Sequence, residues 1–90
     1  MARRLFISGR VQGVGYRAGF AWQARSLALK GWVRNRRDGR VEALVDGEPA
    51  ALDAILAWAQ NGPPAATVIG VEVEDDAGPA GQEFRVLPDA

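Results

Sequence analysis

The chain has 90 residues and contains neither cysteine nor histidine. The lack of cysteine excludes disulfides, thiolate nucleophiles and cysteine-ligated metals. The lack of histidine removes the usual general base and the commonest zinc ligand. No apolar run approaches the ~18 residues of a membrane span, and the apolar stretch 5–7 is too short for a signal peptide. We therefore expect one cytoplasmic domain over residues 1–90, with no metal, no cofactor and no membrane partner.

Charge is unevenly distributed along the chain, although the formal net charge is zero. Residues 1–40 carry ten basic side chains and one acidic one, whereas residues 41–90 carry one basic and ten acidic ones. An asymmetry of this kind indicates an anionic ligand near the first half. The alternative is that folding brings the two halves together so that their charges neutralise each other. Charge alone does not decide between these interpretations.

The predicted elements follow the order β-α-β-β-α-β with a short last strand, which we expect at a sheet edge. This is the order of a ferredoxin-like α+β sandwich, with two helices on one face of a mainly antiparallel sheet. The fold hosts many activities, so the order says little about function. The apolar periodicity places strands over 4–8, 31–37, 40–46, 67–75 and 83–87, a helix from about Ala18 to the Lys30–Gly31 stop, and a helix beginning at Pro49.

The dipeptide Asp38-Gly39 separates two of these strands and predicts a two-residue type I′ hairpin turn. That register pairs Asn35 with Glu42 and Val33 with Leu44. Because side chains alternate along a strand, Asn35 shares a face with Val33. We expect Val33 and Leu44 to face the helices, which would place Asn35 near the segment that enters the first helix.

That segment, Gly9-Arg-Val-Gln-Gly-Val-Gly-Tyr-Arg17, is the glycine-rich connection between the first strand and the first helix. Glycines at 13 and 15 allow backbone amides to turn inward. The first N–H groups of a helix and its dipole favour an anion. Arg17 lies in the first helical turn and can add paired donors at the same point. The pattern predicts a phosphate cradle, against the alternative of a tight connection with an incidental arginine.

Two other phosphate motifs are excluded. No Lys-Ser/Thr pair follows the glycines, so the segment is not a P-loop. Residues 13–18 fit the G-x-G-x-x-A dinucleotide fingerprint, and Asp38 lies near the offset of a ribose-binding acid. However, Asp38 belongs to a hairpin, so the next strand runs antiparallel. A doubly wound domain needs another helix there and more chain than 90 residues.

Three segments together resemble the acylphosphatase family: 9–17, Gly31-Trp-Val-Arg-Asn35 and Asp38-Gly-Arg-Val-Glu42. The resemblance covers nearly the whole chain, although the last third carries no diagnostic residue. It implies hydrolysis of acyl phosphates to a carboxylate and inorganic phosphate. We expect the protein to be a monomer. The resemblance also implies that Arg17 binds the phosphoryl group and that Asn35 positions the attacking water. The backbone amides that match the cradle are those of Gln12, Gly13, Val14, Gly15, Tyr16 and Arg17.

The composition is compatible with this chemistry. An acyl phosphate has a good carboxylate leaving group, so no strong general acid is needed. Phosphoryl transfer passes through a loose transition state with charge on the equatorial oxygens. Positioning and preorganised donors can therefore carry most of the catalysis. A lone asparagine near a turn is otherwise more typical of local backbone capping.

A non-catalytic anion- or RNA-binding module of the same fold is the alternative. RNA-recognition domains of this topology stack bases on aromatic residues of the two central strands. Phe6 lies in the first strand, but the segment 41–46 has no aromatic residue, so we expect no nucleic-acid partner. The acidic run Glu74-Asp75-Asp76 is interpreted as a solvated strand end, because consecutive carboxylates cannot converge on a cation.

Overall fold

A computed structural model describes residues 1–90 and shows two helices on a five-stranded sheet. The strand order is β4-β1-β3-β2-β5, with antiparallel neighbours except for the parallel pair β2–β5. This confirms the predicted ferredoxin-like α+β sandwich and its short edge strand. The elements are β1 (Ala2–Arg10), α1 (Tyr16–Ser26), β2 (Lys30–Asn35), β3 (Val41–Asp46), α2 (Pro49–Ala59), β4 (Thr67–Asp76) and β5 (Phe84–Val86).

The main core lies between the helices and the inner face of the sheet. Alternate strand residues point into it, as expected for a sheet with one covered face. α2 begins at the predicted Pro49, whose missing N–H is tolerated at the first helical position. Neither helix is long and apolar enough to cross a membrane. The largest contributors to the core include Leu5, Ile7, Phe20, Val33, Val45, Leu52 and Ile55.

The end of α1 differs from the prediction, because the helix stops earlier. Ala28 adopts a left-handed φ of 57°, and the Leu29 N–H donates to the Ala24 carbonyl at 2.9 Å. This is the Schellman closure that usually places glycine at the left-handed position. Gly31 lies instead in β2, where a Cβ would come within 1.8 Å of the Leu44 carbonyl oxygen. Glycine is therefore required at position 31 by the close approach of the β3 backbone, and it does not cap α1.

The β2–β3 hairpin also differs from the prediction. The Arg36 N–H donates to the Arg40 carbonyl at 2.8 Å, and the Gly39 N–H donates to the Arg36 carbonyl at 3.2 Å. Gly39 has a φ of 92°. The connection is therefore a three-residue loop over 37–39, with glycine at the left-handed position, and not a two-residue type I′ turn.

The extra loop residue shifts the register of the hairpin by one. Asn35 pairs with Val41 instead of Glu42, and Val33 pairs with Ala43 instead of Leu44. A one-residue shift moves the partner strand's side chains to the opposite face. The prediction that Leu44 faces the helices was therefore wrong, because Leu44 packs in a small cluster with Ala2, Ala80 and Trp32 on the outer face. Asn35 keeps its predicted face because alternation within β2 alone determines it.

The C-terminal segment continues from β5 along β2. The Leu87 N–H donates to the Val33 carbonyl at 2.9 Å, and the Ala90 N–H donates to the Asn35 carbonyl at the same distance. These bonds hold residues 87–90 alongside β2 as far as its last residue, Asn35. The segment therefore reaches the residues that the sequence assigned to the candidate site.

Candidate active site

The connection between β1 and α1 has the backbone conformation that the glycines predict. Gly13 and Gly15 have φ values of 74° and 81°, and a Cβ at either position would meet nothing within 4 Å. The glycines are therefore required by backbone conformation and not by close packing. They border a surface cleft of about 250 Å³. Its lining residues are Val11, Gly13, Gly15, Tyr16, Arg17, Ala18 and Val86.

The N-terminus of α1 opens into this cleft without a side-chain cap. Gly15 is the N-cap residue, and the first turn contains no acidic side chain. The first N–H groups of an α-helix have no acceptor within the helix. Neither a side-chain cap nor an acidic residue of the first turn neutralises the positive end of the helix dipole, which favours an anion there.

Arg17 is the second residue of α1 and lines the cleft, as the sequence predicted. Its Nη1 atom lies 3.1 Å from Oδ1 of Asp89. The Arg17 side chain is 36% exposed and that of Asp89 is 66% exposed. Ion pairs at this exposure contribute little net free energy. An incoming phosphoryl group with several acceptor oxygens is therefore a strong competitor for the guanidinium.

Asn35 lies at the end of β2 and is buried, with 6% of its surface exposed. Its side-chain Oδ1 atom accepts no hydrogen bond. A buried acceptor without a partner costs about 1–3 kcal/mol, so a native structure that keeps one needs a reason for it. Asn35 does not line the cleft directly. The C-terminal segment links it to Arg17, because Asp89 pairs with Arg17 and the neighbouring Ala90 donates to Asn35.

Tyr16 anchors the start of α1 in the core. Its hydroxyl donates to the Ala59 carbonyl at 2.9 Å, and its ring packs against Phe20 and Trp58. Burial raises the pKa of the Tyr16 hydroxyl above its ordinary value. The phenol is therefore an anchored donor to the end of α2, and it holds the neighbouring Arg17 at the mouth of the cleft.

The site also contains side-chain contacts that the sequence analysis missed. The Gln12 Nε2 atom donates to the carbonyls of Arg36 at 2.8 Å and Arg40 at 3.0 Å. The sequence motif predicts a role for the Gln12 backbone amide alone. Asp89 and Val86 were also missed, because their positions depend on how the C-terminal segment packs against the sheet and no local motif marks them.

On the outer face of the sheet, arginine side chains stack over the two aromatic rings. Phe6 and Trp32 lie on this face, and guanidinium groups stack over both rings, 4.8–5.6 Å from the ring centroids. Base stacking needs an accessible aromatic surface. Four arginines form this layer: Arg4 and Arg34 over Trp32, and Arg36 and Arg40 over Phe6.

Two of the three carboxylates in the acidic run of β4 form ion pairs. Asp75 lies 2.7 Å from Arg3, and Asp76 lies 2.8 Å from Arg4. Hydrogen bonds from Arg4 and the Gly78 N–H hold the pKa of the Asp76 carboxyl below its ordinary value. These carboxylates neutralise basic residues of the first half of the chain. The two halves of opposite charge therefore meet across the β1–β4 pair.

Comparison with known proteins identifies the family. A model of the family described as Acylphosphatase matches residues 3–86. The chain belongs to the acylphosphatase family. An acylphosphatase from Azoarcus sp. (strain BH72) is 54% identical over 87 residues, which cover 97% of this chain and 89% of that protein. An acylphosphatase from Anaeromyxobacter dehalogenans (strain 2CP-C) is 58% identical over 80 residues, covering 87% of this chain and 86% of that protein.

A solved structure of an acylphosphatase supports the same assignment at the level of the fold. The crystal structure from Bacillus subtilis superposes with a TM-score of 0.89 at 37% identity. The match covers 96% of this chain and 97% of the other. The glycine-rich connection, both helices and the five-stranded sheet therefore belong to an acylphosphatase fold of matching length.

Proposed function

We propose that this member of the acylphosphatase family hydrolyses carboxyl–phosphate anhydrides to a carboxylate and inorganic phosphate without a metal ion. The observation that supports this mechanism is the buried Oδ1 atom of Asn35, which accepts no hydrogen bond within the protein and is therefore available to a water molecule. The second part of the site is the N-terminus of α1, which has no side-chain cap. The polar groups of the proposed site all come from residues 12–35 of one chain, so we propose that a single copy of the chain suffices for activity.

The cradle binds the phosphoryl group of the substrate. Its oxygens accept hydrogen bonds from backbone N–H groups of 12–17 at the positive end of the α1 dipole. Arg17 exchanges its exposed partner Asp89 for two phosphoryl oxygens, because a guanidinium matches that geometry with paired donors. The backbone donors are held by the fold before the substrate arrives, so they need little reorganisation as charge develops on the equatorial oxygens.

Asn35 positions the attacking water. Its Oδ1 atom accepts a hydrogen bond from the water, which aims a lone pair of the water oxygen at phosphorus. The new O–P bond forms in line with the breaking P–O bond, and the carboxylate leaves with the bonding electron pair. An amide is not basic, so the proton of the water passes to a phosphoryl oxygen. Carboxylates are weak bases with pKa values near 4, and the leaving group therefore needs no acid.

The rest of the cleft indicates the kind of acyl group. Val11, Ala18 and Val86 form its apolar side, next to the glycines and Arg17. A phosphoryl group bound by the amides leaves the acyl substituent against this apolar side. The volume of about 250 Å³ fits a compact substituent. We propose a small-molecule acyl phosphate as the substrate, with inorganic phosphate as a product and competitive inhibitor.

Hydrolysis of benzoyl phosphate and acetyl phosphate by the purified chain tests this function. We expect turnover of both substrates in excess chelator and competitive inhibition by inorganic phosphate. Glycerol 3-phosphate, an unactivated monoester with a poor alkoxide leaving group, serves as the control and should react far more slowly. Phosphate binding without turnover of either acyl phosphate would contradict the enzymatic function and favour an anion-binding module.

A further inference from the structure

The two parts of the proposed site come from different segments, and one side chain connects them directly. The cradle belongs to the β1–α1 connection, and Asn35 belongs to the end of β2. Gln12 Nε2 donates to the carbonyls of Arg36 and Arg40 at 2.8 and 3.0 Å. These carbonyls flank the opening of the β2–β3 hairpin, and Arg36 directly follows Asn35 in the chain.

We propose that Gln12 is a positioning residue whose side-chain amide holds Asn35 in register with the phosphate cradle. This inference rests on the proposed hydrolysis of acyl phosphates. The Gln12 side chain would not touch the substrate. It would act through the distance and angle between the phosphoryl group in the cradle and the water bound by Asn35.

The hydrogen-bond geometry supports a rigid connection. A carboxamide nitrogen has two hydrogens, and each has an acceptor on a different side of the hairpin loop. The Arg36 and Arg40 carbonyls already accept backbone bonds from Gly39 and Arg36. Gln12 therefore uses their second acceptor positions without competing with the hairpin. Two bonds to the two sides of the loop restrict rotation as well as distance.

The backbone around Gln12 needs such an external restraint. Gly13 and Gly15 have left-handed backbone conformations, and nothing packs where their Cβ atoms would lie. Glycine also has the largest conformational freedom of any residue. The Gln12 side chain supplies a fixed point on the neighbouring hairpin. In-line attack is sensitive to this restraint, since a misplacement of about 1 Å can cost 10²-fold in rate.

The proposal predicts a separation between turnover and phosphate affinity. Met in place of Gln12 keeps a similar length but donates no hydrogen bond. The backbone amides and Arg17 remain, so we expect the inhibition constant of inorganic phosphate to change by less than about threefold. Turnover of benzoyl phosphate depends on the placement of the water as well, and kcat should fall by about 10- to 100-fold.

The experiment compares Gln12→Met with Gln60→Met, the same change at an exposed residue after α2. For each variant, kcat, KM and phosphate inhibition are measured with benzoyl phosphate below the melting temperature. Gln60→Met should match the wild type. Gln12→Asn, which is one methylene too short to reach both carbonyls, is the second variant and should lose kcat in the same way if Gln12→Met does not fold.

A double variant tests whether Gln12 acts through Asn35. If it does, Gln12→Met should slow Asn35→Ala by much less than it slows the wild type, because coupled residues are not additive. Full additivity would overturn the proposal. An unchanged kcat in folded Gln12→Met, or a phosphate inhibition constant that rises as much as kcat falls, would also overturn it. Failure of the proposed function itself would appear separately, as a wild type inactive on acyl phosphates.

Discussion

Two regions of the molecule present arginines, and carboxylates hold them very differently. On the outer face of the sheet, three guanidinium groups converge on Glu42, which is 2% exposed. At the start of α1, Arg17 has a single exposed partner, Asp89, beside uncapped helix amides. The number of basic residues is therefore a poor guide to the anion site. The proposed anion site lies where the arginine forms the weaker ion pair within the protein.

The energetics of the two regions explain the difference. Removing one partner of a buried ion pair typically costs about 3–5 kcal/mol, because the other charge is left uncompensated. An exposed pair contributes about 0–1 kcal/mol. A ligand would have to break the first kind of contact to bind on the outer face. At the cleft it replaces the second kind and gains the helix amides in addition.

Loss of the cleft arginine should have the largest effect. In Arg17→Ala we expect turnover of benzoyl phosphate to fall by about 10²–10³, the typical cost of removing one preorganised donor. Inhibition by inorganic phosphate should weaken as well. Arg34→Ala is the matched control, because it removes an arginine from the outer face. Comparable losses in the two variants would contradict the distinction between the regions.

Loss of Asn35 should have a smaller and more selective effect. We expect Asn35→Ala to lower kcat by about 10- to 100-fold, because the water loses its orienting acceptor but the cradle is intact. The inhibition constant of inorganic phosphate should stay within about threefold of the wild type. Asn61→Ala, an exposed position after α2, controls for the substitution. A fully active Asn35→Ala variant would contradict the role of this residue.

The outer face should respond in stability instead of activity. Burial alone raises the pKa of the Glu42 carboxyl, but hydrogen bonds from three arginines outweigh it and hold this pKa below its ordinary 4.5. Glu42→Gln should therefore lower the free energy of unfolding at pH 7 by roughly 1.5–3 kcal/mol, the scale of hydrogen bonds to charged groups. This is less than for a fully buried pair, because the three arginines remain partly exposed. Turnover at low temperature should be unchanged.

The stability difference between wild type and Glu42→Gln should also depend on pH in a definite direction. A carboxyl whose folded-state pKa is lowered stabilises the protein above its unfolded-state pKa, and this contribution is lost as the pH falls through the folded value. The stability difference between wild type and Glu42→Gln should therefore be largest above about pH 4.5 and shrink below it. Denaturant unfolding at several pH values measures it. A difference that grows on acidification would contradict the charged network.

The sequence predicted the features of the site that depend on local geometry. The left-handed glycines, the position of Arg17 in the first turn and the face of Asn35 follow from neighbouring residues alone. The hairpin register was missed because a three-residue loop and a two-residue turn both accept Asp-Gly. The end of α1 was missed because an alanine, Ala28, holds the left-handed position. The contact of Asp89 with Arg17 joins residues 72 apart in sequence, and no local pattern reports it.

The contact between Asp89 and Arg17 gives the smallest expected effect and the sharpest comparison with the outer face. Asp89→Asn removes the carboxylate that competes with phosphate for the guanidinium. We expect tighter inhibition by inorganic phosphate, by up to about fivefold, because an exposed pair contributes at most about 1 kcal/mol. The gain should shrink at high salt, where exposed charges are screened. Asp53→Asn, on the exposed side of α2, is the control. Weaker phosphate inhibition in Asp89→Asn would contradict this expectation. It would show that the carboxylate orients Arg17 for the substrate, and that the Arg17–Asp89 ion pair is kept when phosphate binds, as the ion pairs of Glu42 are.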